Sequence, residues 1–356
     1  MSMTLFLQAL DVWLFRDGRP FDAGSAHRAE SIFPPYPSVM QGAIRTHRLL
    51  ASGVDLKDEK AIADLVGGPD EYGSLRLRGP FLAKREGTQI TRYFPQPADA
   101  ILQDDKILPA RLEEPSKFLK TNSRLPHVLG LKQDLGKPSS RPVWVSENAL
   151  LAYLNGETVE SIPEERLFSR DERIGIGMDE RRVTVDGMLY EAEFIRPAED
   201  VGLLVEMDGY DESEWNRGGI LHLGGEGRMA TFEAIQFQPP PITHKPSGRF
   251  KLYFSTPSYL ANGWLPSEDL DDWSRFFVGP VKLIGAALQR YEIMGGFNWA
   301  AKDSDARAHR PSRRFVPAGS VYYFEGKPEL QPGLIQQAIT DFGAEIGFGQ
   351  TIIKEW

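Results

Sequence analysis

The sequence has no cysteine among its 356 residues. Disulfide bonds, iron–sulfur clusters, zinc sites built on thiolates and cysteine nucleophiles are therefore excluded. No hydrophobic run reaches the ~18 residues that a membrane-spanning helix needs, which excludes an integral helical membrane protein. The apolar N-terminal stretch lacks the basic region and the cleavage site of a signal peptide, so we interpret it as a first strand. We expect a cytoplasmic protein.

Common motifs of cofactor and catalytic sites are also missing. The six histidines are scattered, and no two of them have the spacing of metal ligands: His27, His47, His127, His222, His244 and His309. The sequence has no G-x-S-x-G nucleophile elbow and no Walker A motif, and Gly175-Ile176-Gly177 does not complete the dinucleotide fingerprint because Glu180 occupies its last position. We therefore expect no metal and no cofactor.

Glycine and proline are abundant, with 34 and 26 residues respectively, whereas hydrophobic and charged residues occur at the ordinary shares of 41% and 26%. This composition predicts a globular protein rich in turns and hairpins rather than a helical bundle. The length suggests two domains, and Pro239-Pro240-Pro241 marks a boundary between them. We predict domains at residues 1–238 and 239–356.

Charge is distributed unevenly around a net value of −9. Residues 306–314 contain Arg307, Arg310, Arg313 and Arg314 with no acidic residue, whereas residues 206–214 and 268–272 are acidic clusters. The global charge argues against a passive coat for nucleic acid, but local clustering decides what binds. The positive groups at 306–314 repel one another unless an anion lies among them. A solvated loop is the alternative interpretation of the same run.

The hydrophobic pattern predicts an α+β chain. Residues 4–15 suit a buried strand, a helix begins at Pro37 with Ser38 as its N-cap, and strands follow at 74–83 and 89–94. This β–α–β–β order is the start of a ferredoxin-like unit. The proline-studded residues 97–145 predict a long insertion. Further elements are predicted as a helix at 146–155 capped by Ser146, a helix at 330–342 and a last strand at 350–353.

Two glycine-rich segments resemble each other, at residues 221–231 and 345–353, and each precedes a strand. They suggest an internal duplication. Such a loop lets the backbone approach a phosphate closely, and Arg228 and Phe348 add a cation and an aromatic ring. A tight turn that needs a positive φ is the alternative for each loop. His27 and His47 are candidate general bases for RNA cleavage, although His47 also lies on the apolar face of its helix, where packing accounts for it.

The order of short motifs resembles one protein family. These motifs are Asp11–Phe21 (DVWLFRDGRPF), Phe33–Arg45 (FPPYPSVMQGAIR), Arg173–Ile176 with Leu189-Tyr190, the loop Gly224–Arg228 and the final Gly347-Phe348-Gly349. Together they resemble the third subunit of Cmr-type (type III-B) CRISPR effector complexes, in the RAMP superfamily. The resemblance implies two ferredoxin-like (RRM-like) domains with glycine-rich loops and long insertions.

The resemblance also implies a function in antiviral defence. The subunit would hold the 5′ repeat-derived tag of the crRNA and bridge the large polymerase/cyclase-like subunit to the backbone RAMP subunits, without being an enzyme. Superfamily relatives that process crRNA precursors do cleave RNA, usually with a histidine. Two alternatives therefore stay open: a metal-independent endoribonuclease, and a protein scaffold whose arginines meet acidic partners.

The candidate RNA-binding residues follow from both lines of reasoning. Arginines would contact phosphates, glycines would permit close approach, and an aromatic ring would stack on a base. The candidates are Arg45, Arg228, Arg307, Arg310, Arg313 and Arg314, then Gly224, Gly225, Gly347 and Gly349, and Phe348 for stacking. Arg16 and Arg19 have an equally good structural interpretation, in which they pair with Asp11, Asp17 or Asp22.

Overall fold

The chain forms two compact units, each assembled from three separate segments. A computed structural model describes residues 2–16, 28–68, 71–118, 120–130, 139, 141–239, 248–297 and 309–356. Unit 1 consists of Met1–Ile90, Glu165–Gln236 and Ile293–Arg313, and unit 2 of Thr91–Glu164, Phe237–Glu292 and Arg314–Trp356. These units differ from the predicted domains 1–238 and 239–356, because strand pairing joins segments that are far apart in the chain.

The three α-helices of the described residues are α1 (Pro37–Ser52), α2 (Glu59–Val66) and α3 (Glu147–Leu154). Helix α1 is confirmed, but its N-cap is Tyr36 rather than Ser38, and Pro37 occupies the first turn, where its missing N–H leaves no hydrogen bond unmade. Helix α3 is capped as predicted, since the Ser146 side chain accepts a hydrogen bond of 3.3 Å from the Ala149 N–H. None of the described helices has the length and apolar character to cross a membrane.

The described residues form 24 strands, most of them short. The first twelve are β1 (Met3–Ala9), β2 (Arg28–Ala29), β3 (Arg76–Glu86), β4 (Gln89–Pro95), β5 (Ala100–Gln103), β6 (Lys106–Pro109), β7 (Arg111–Glu113), β8 (Val128–Gly130), β9 (Val143–Ser146), β10 (Val159–Glu160), β11 (Ile162–Pro163) and β12 (Phe168–Met178). The others are β13 (Thr184–Pro197), β14 (Val201–Asp208), β15 (Gly219–His222), β16 (Met229–Ile235), β17 (Gly248–Phe254), β18 (Phe277–Val278), β19 (Val281–Ala287), β20 (Glu292–Phe297), β21 (His309–Phe315), β22 (Val321–Gly326), β23 (Glu329–Leu330) and β24 (Thr351–Glu355).

Each unit contains an antiparallel sheet with the same strand order. In unit 1 the order is β3-β14-β1-β16, with β15 beyond β16, and in unit 2 it is β19-β22-β17-β24. When the four strands of each of these sheets are numbered in chain order, both sheets have the order 2-3-1-4. The third strand therefore lies between the first two, as in a split βαβ unit. The chain is thus an α+β protein as predicted, and the fourth strand of each sheet directly follows one of the two glycine-rich segments.

The helical connections of the two units differ. In unit 1, α1 and α2 lie between β1 and β3. In unit 2, residues 255–280, all of which are described, contain no α-helix. The prediction of a helix at 330–342 is wrong. Only a short 3₁₀ turn, Ile335–Gln337, forms there, and Gln336 has a φ of 52°. The Ile339 N–H donates to the Gly349 carbonyl at 2.8 Å instead, so a tertiary hydrogen bond holds this segment away from a helix.

Residues 91–164 contribute to the core of unit 2 rather than forming a separate insertion. Leu102 of β5 and Ile107 of β6 are buried, and so is Asp99 just before β5. The Asp99 carboxylate accepts hydrogen bonds from the hydroxyls of Tyr153, at 2.8 Å, and Tyr323. The predicted insertion is therefore anchored through its side chains to α3 and to the sheet of unit 2.

Candidate nucleic-acid interface

The first glycine loop, Gly224–Arg228, packs directly on the segment that follows β1. The Gly225 N–H donates to the Leu14 carbonyl at 2.7 Å. Gly224 has a φ of 104°, and a Cβ there would lie 2.9 Å from the same carbonyl oxygen. Only glycine permits this approach without strain. In this structure the loop uses its glycines for a close backbone contact, which brings Arg228 beside the start of residues 11–15.

The same segment is paired with β13. Trp13 and Ile195 exchange two backbone hydrogen bonds of 2.9 and 2.8 Å, and Val12 and Leu14 are buried in a small cluster with Phe194. The segment therefore lies between β13 and the first glycine loop. Asp11, at its start, is held at the side of the hairpin formed by β12 and β13.

Three arginines and two aspartates meet at this position, and we call them the arginine cluster: Arg173, Arg196, Arg228, Asp11 and Asp171. Asp171 accepts hydrogen bonds from Arg173 and Arg196 at 2.9 and 2.8 Å. The carboxylate of Asp11 lies 3.2 Å from Arg196, 3.6 Å from Arg228 and 3.7 Å from Arg173.

The strand register explains why these side chains share one face. Asp171 is paired with Phe194 and Arg173 with Ala192, and Arg196 is two residues beyond Phe194. Residues two apart in a strand point to the same side, so all of them lie on one face of the hairpin. The guanidinium carbons of Arg173 and Arg228 each lie 4.7 Å from the centroid of the Phe194 ring. The ring gives the two cations a rigid apolar support.

Electrostatics leaves the arginine cluster with one positive charge in excess. Hydrogen bonds from Arg173, and then from Arg196, lower the pKa of Asp171, which therefore stays ionised. The side chains of Arg173 and Arg196 are partly exposed, at 37% and 47%. Guanidinium groups of this kind bind phosphate through paired, charge-assisted hydrogen bonds. The arrangement is chemically suited to an anion at the surface beside the first glycine loop.

Arg45 lies in a different part of unit 1 and already has several partners. Its guanidinium donates to the carbonyls of Gly67 and Gly68 at 2.8 and 2.7 Å and to Gln41 at 3.2 Å. Burial lowers its pKa. These contacts connect α1 to the end of α2 and account for an arginine here by themselves. Its contact with RNA stays a prediction.

The basic run lies on β21, which pairs with β20. The side chain of Arg310 covers Gly296, where a Cβ would lie 3.2 Å from the arginine Cδ. The guanidinium of Arg314 lies 5.0 Å from the ring centroid of the exposed Tyr291. Arg313 is partly buried, and Arg307 is outside the described residues. The described arginines of the run are thus presented by a two-stranded ribbon rather than by a loop.

The second glycine loop, Gly347–Gly349, is joined to the segment after β17. Gly349 has a φ of 68°, and a Cβ there would lie 2.6 Å from the Ile339 carbonyl oxygen. Gly347 has a φ of 107°, and its carbonyl accepts from the Thr256 hydroxyl at 2.8 Å. Phe348 is only 1% exposed. Its ring packs on Phe315 at 5.0 Å. Core packing accounts for this ring, and in this structure it presents no face to a base.

His47 is packed as an aromatic side chain. Its ring lies 5.1 Å from that of Trp215 and 5.0 Å from that of Phe232. Burial lowers the pKa of His47, more than a backbone hydrogen bond at Ile220 raises it. A neutral, packed imidazole agrees with the packing interpretation. His27 is outside the described residues.

Sequence reasoning found Arg228 and its glycines but missed Arg173 and Arg196 as site residues. The usable signal was the i, i+2 pair Asp171 and Arg173, which alternation places on one face of a strand. Arg196 and Asp11 are 185 residues apart. Their contact depends on strand pairing, which the sequence does not reveal.

Comparison with known proteins places the chain in a family. The model of the family described as CRISPR-associated protein (Cas_Cmr3) matches residues 5–356. The chain belongs to this family. The resemblance to the third subunit of Cmr-type complexes is confirmed, and this Cmr-family chain is a CRISPR-associated protein. Among curated proteins, no sequence matches it.

Two solved structures are similar in fold. One is a chain of the cryo-EM structure of the Type III-B Cmr-beta bound to cognate target RNA and AMPPnP, with a TM-score of 0.52 and 16% identity over 90% of this chain and 86% of that chain. The other is a chain of the Type III-B Cmr-beta bound to cognate target RNA, with a TM-score of 0.50 and 17% identity over 90% and 86%.

Proposed function

We propose that this Cmr-family subunit binds crRNA at its 5′ repeat-derived tag and bridges the large polymerase/cyclase-like subunit to the backbone RAMP subunits, without cutting RNA. The arginine cluster beside the first glycine loop carries the proposal. Three guanidinium groups converge there on one partly exposed face, supported by the Phe194 ring. Family membership and the RNA bound to the similar Cmr-beta structures support it.

Physical chemistry favours a single-stranded RNA backbone as the ligand of this face. RNA is bound by charge on its phosphates, while unstacked bases are read separately. The net charge of −9 confines attraction for RNA to local basic faces. We also assign each unit to the ferredoxin-like class, since both sheets have the 2-3-1-4 order.

The test is equilibrium binding of the purified chain to a crRNA with its 5′ tag and to a scrambled-tag control. Fluorescence anisotropy measures the fraction of RNA bound. We expect Arg196→Ala and Arg228→Ala each to weaken binding about tenfold, as loss of one charge-assisted contact does. Arg217→Ala is the matched control, because Arg217 is an exposed arginine that follows the acidic stretch 206–214 in the chain. Its affinity should change less than about twofold. Circular dichroism checks that each variant is folded.

The outcomes separate the three hypotheses. Tag-dependent binding that the two cluster variants weaken supports the proposal. Equal affinity of all variants contradicts a role for the arginine cluster. A cleaved RNA on a denaturing gel of the same samples supports an endoribonuclease instead, and lack of binding to either RNA supports a protein scaffold.

The contact with a backbone RAMP subunit is assigned to the far half of the hairpin β12–β13. Ile174 and Ile176 are 73% and 52% exposed, and Met178 and Leu189 are also more than half exposed. Residues 174 and 176 share one side of β12, and Leu189 is paired with Ile176 on that side. A contiguous exposed apolar face of this kind marks a protein–protein contact.

A further inference from the structure

Asp11 and Asp171 bind the same arginines in different ways. Asp171 accepts short hydrogen bonds of 2.8 and 2.9 Å, and its side chain is 28% exposed. Asp11 is 53% exposed, and its carboxylate lies among three guanidinium groups at 3.2, 3.6 and 3.7 Å. Two of those three distances exceed that of a hydrogen bond. Asp11 is therefore held by one hydrogen bond, which Arg196 donates, and otherwise by attraction to the other two guanidinium groups.

The position of Asp11 in the fold makes it movable. Strand β1 ends at Ala9, the Leu10 N–H still donates to the Met229 carbonyl at 3.2 Å, and the next backbone pairing is at Trp13, which bonds to Ile195. Asp11 lies between these two anchors, outside any strand. Rotation of its side chain toward water breaks no backbone hydrogen bond and exposes little apolar surface.

We propose that Asp11 is a placeholder for an RNA phosphate. In the free protein its carboxylate partly neutralises Arg173, Arg196 and Arg228, and on binding a phosphate of the RNA takes its place. Carboxylate and phosphate offer a guanidinium similar oxygen acceptors, and the phosphate diester keeps one negative charge, so the exchange preserves the charge balance. The inference rests on the proposed function.

Asp171 is a positioning residue under the same inference. Its two short bonds orient Arg173 and Arg196 whether or not RNA is present, because it lies with them on the strand face. The two aspartates should then have opposite effects. Removing the charge of Asp11 frees the arginines, whereas removing the charge of Asp171 leaves two of them without their support.

The placeholder has a consequence for non-specific binding. Every polyanion has to displace Asp11, so the cost is the same for any sequence. An RNA whose tag makes further contacts can meet that cost, whereas an RNA that offers only phosphates binds more weakly. The uniform cost thus lowers occupancy by such RNAs and leaves the ratio of the two affinities unchanged.

The experiment measures binding of the full chain to the tagged crRNA and to the scrambled-tag RNA at one fixed salt concentration. Asp11→Asn removes the charge and keeps the size of the side chain. We expect it to raise affinity for both RNAs by the same factor, about fivefold. Asp11→Ser is a second charge-removing variant and should show the same gain.

Two controls make the result specific. Asp64→Asn makes the same change of net charge at an exposed aspartate of α2, and its affinity should rise less than about twofold. Asp171→Asn should lower affinity. Unchanged or weaker binding by both charge-removing variants at position 11, or an equal gain in Asp64→Asn, would overturn the placeholder.

Failure of the inference is distinguishable from failure of the proposed function. Arg228→Ala is measured beside these variants. If it weakens RNA binding while Asp11→Asn changes nothing, the arginine cluster binds RNA and only the placeholder is wrong. If Arg228→Ala and Arg196→Ala bind RNA with the affinity of the wild type, the proposed function of the cluster is itself wrong.

Discussion

Arg92 and Glu147 form an ion pair inside unit 2. Both residues are buried, and the guanidinium donates to the carboxylate at 3.1 Å through Nε and again through Nη2. The rings of Phe94 and Phe237 lie 5.7 and 5.1 Å from the guanidinium carbon. Each charge is thus removed from water, and the two charges compensate each other. Such a pair contributes little net stability, but it is costly to break.

We predict that Glu147→Ala lowers the free energy of unfolding by about 3–5 kcal/mol, because Arg92 is left buried without its counter-ion. The measurement is urea unfolding followed by tryptophan fluorescence. Loss of the favourable charge in the first turn of α3 adds only about 0.3–1 kcal/mol. The control Glu157→Ala changes an exposed glutamate of the same unit and should have little effect. Equal unfolding midpoints for the two variants would contradict the prediction.

Replacing Arg92 together with Glu147 should restore part of the lost stability. The double variant Arg92→Met, Glu147→Leu replaces both charges by apolar side chains of similar size. We expect it to be more stable than Glu147→Ala alone, since the uncompensated charge is then absent.

At the scale of elements, the hairpin β12–β13 has two chemically distinct parts. Near its base, Asp171, Arg173 and Arg196 belong to the arginine cluster. Toward its tip, Ile174, Ile176 and Leu189 form an exposed apolar face. Strands of 11 and 14 residues extend beyond the short β2, which pairs only with Glu191 and Ala192. One element thus carries both proposed contacts, to RNA and to a partner subunit.

We predict that the double variant Ile174→Ser, Ile176→Ser loses co-purification with the backbone RAMP subunit. Burial of each isoleucine at an interface is worth about 1.5–3 kcal/mol, so the affinity should fall at least tenfold. The unfolding temperature and the RNA affinity of the isolated chain should not change, because both side chains are already exposed.

The matched control for the hairpin is Val278→Ser. Val278 of β18 is exposed and apolar but belongs to unit 2. It should leave co-purification intact. Retention of the backbone subunit by the hairpin variant would show that the partner binds elsewhere.

At the scale of the whole molecule, an acidic protein is proposed to bind a polyanion. The net charge of −9 repels RNA at a distance, whereas the three arginines of the cluster attract it at contact. The acidic stretch at 206–214, in which Glu214 pairs with Arg48 at 2.9 Å, repels RNA from that side. The proposed binding is therefore local, and only a few phosphates take part in its electrostatic contribution.

We predict that the logarithm of the RNA-binding constant falls with the logarithm of salt concentration with a slope of about −2, as expected for three phosphates of a single strand. Arg228→Ala should make this slope less negative by about 0.7. Anisotropy titrations at several salt concentrations measure both values. A slope near zero, or one unchanged in the variant, would contradict binding of phosphates by the cluster.

Local signals in the sequence predicted the elements that are stabilised within a few residues. Ser146 caps α3 across three residues, and Pro37 begins α1. The family could also be predicted, because short motifs keep their order along the chain. The glycine-rich segments were found by composition, and the structure places each before the fourth strand of its sheet.

Contacts between residues that are distant in the chain determined the features that local signals did not predict. The helix predicted at 330–342 is absent because Ile339 bonds to Gly349, and the domain boundary differs because each unit joins three segments. Phe348, an aromatic ring in a glycine loop, is buried by packing on Phe315, which local sequence does not show.

The sequence by itself therefore determined the fold class, the family and the residue types of the proposed anion site. Only the tertiary structure decided which arginines share it. Asp11 reaches Arg196 because Trp13 and Ile195 exchange backbone hydrogen bonds across more than half of the chain. The physical reason is that a capping contact depends on neighbouring residues, whereas the register between distant strands depends on the packing of the whole unit.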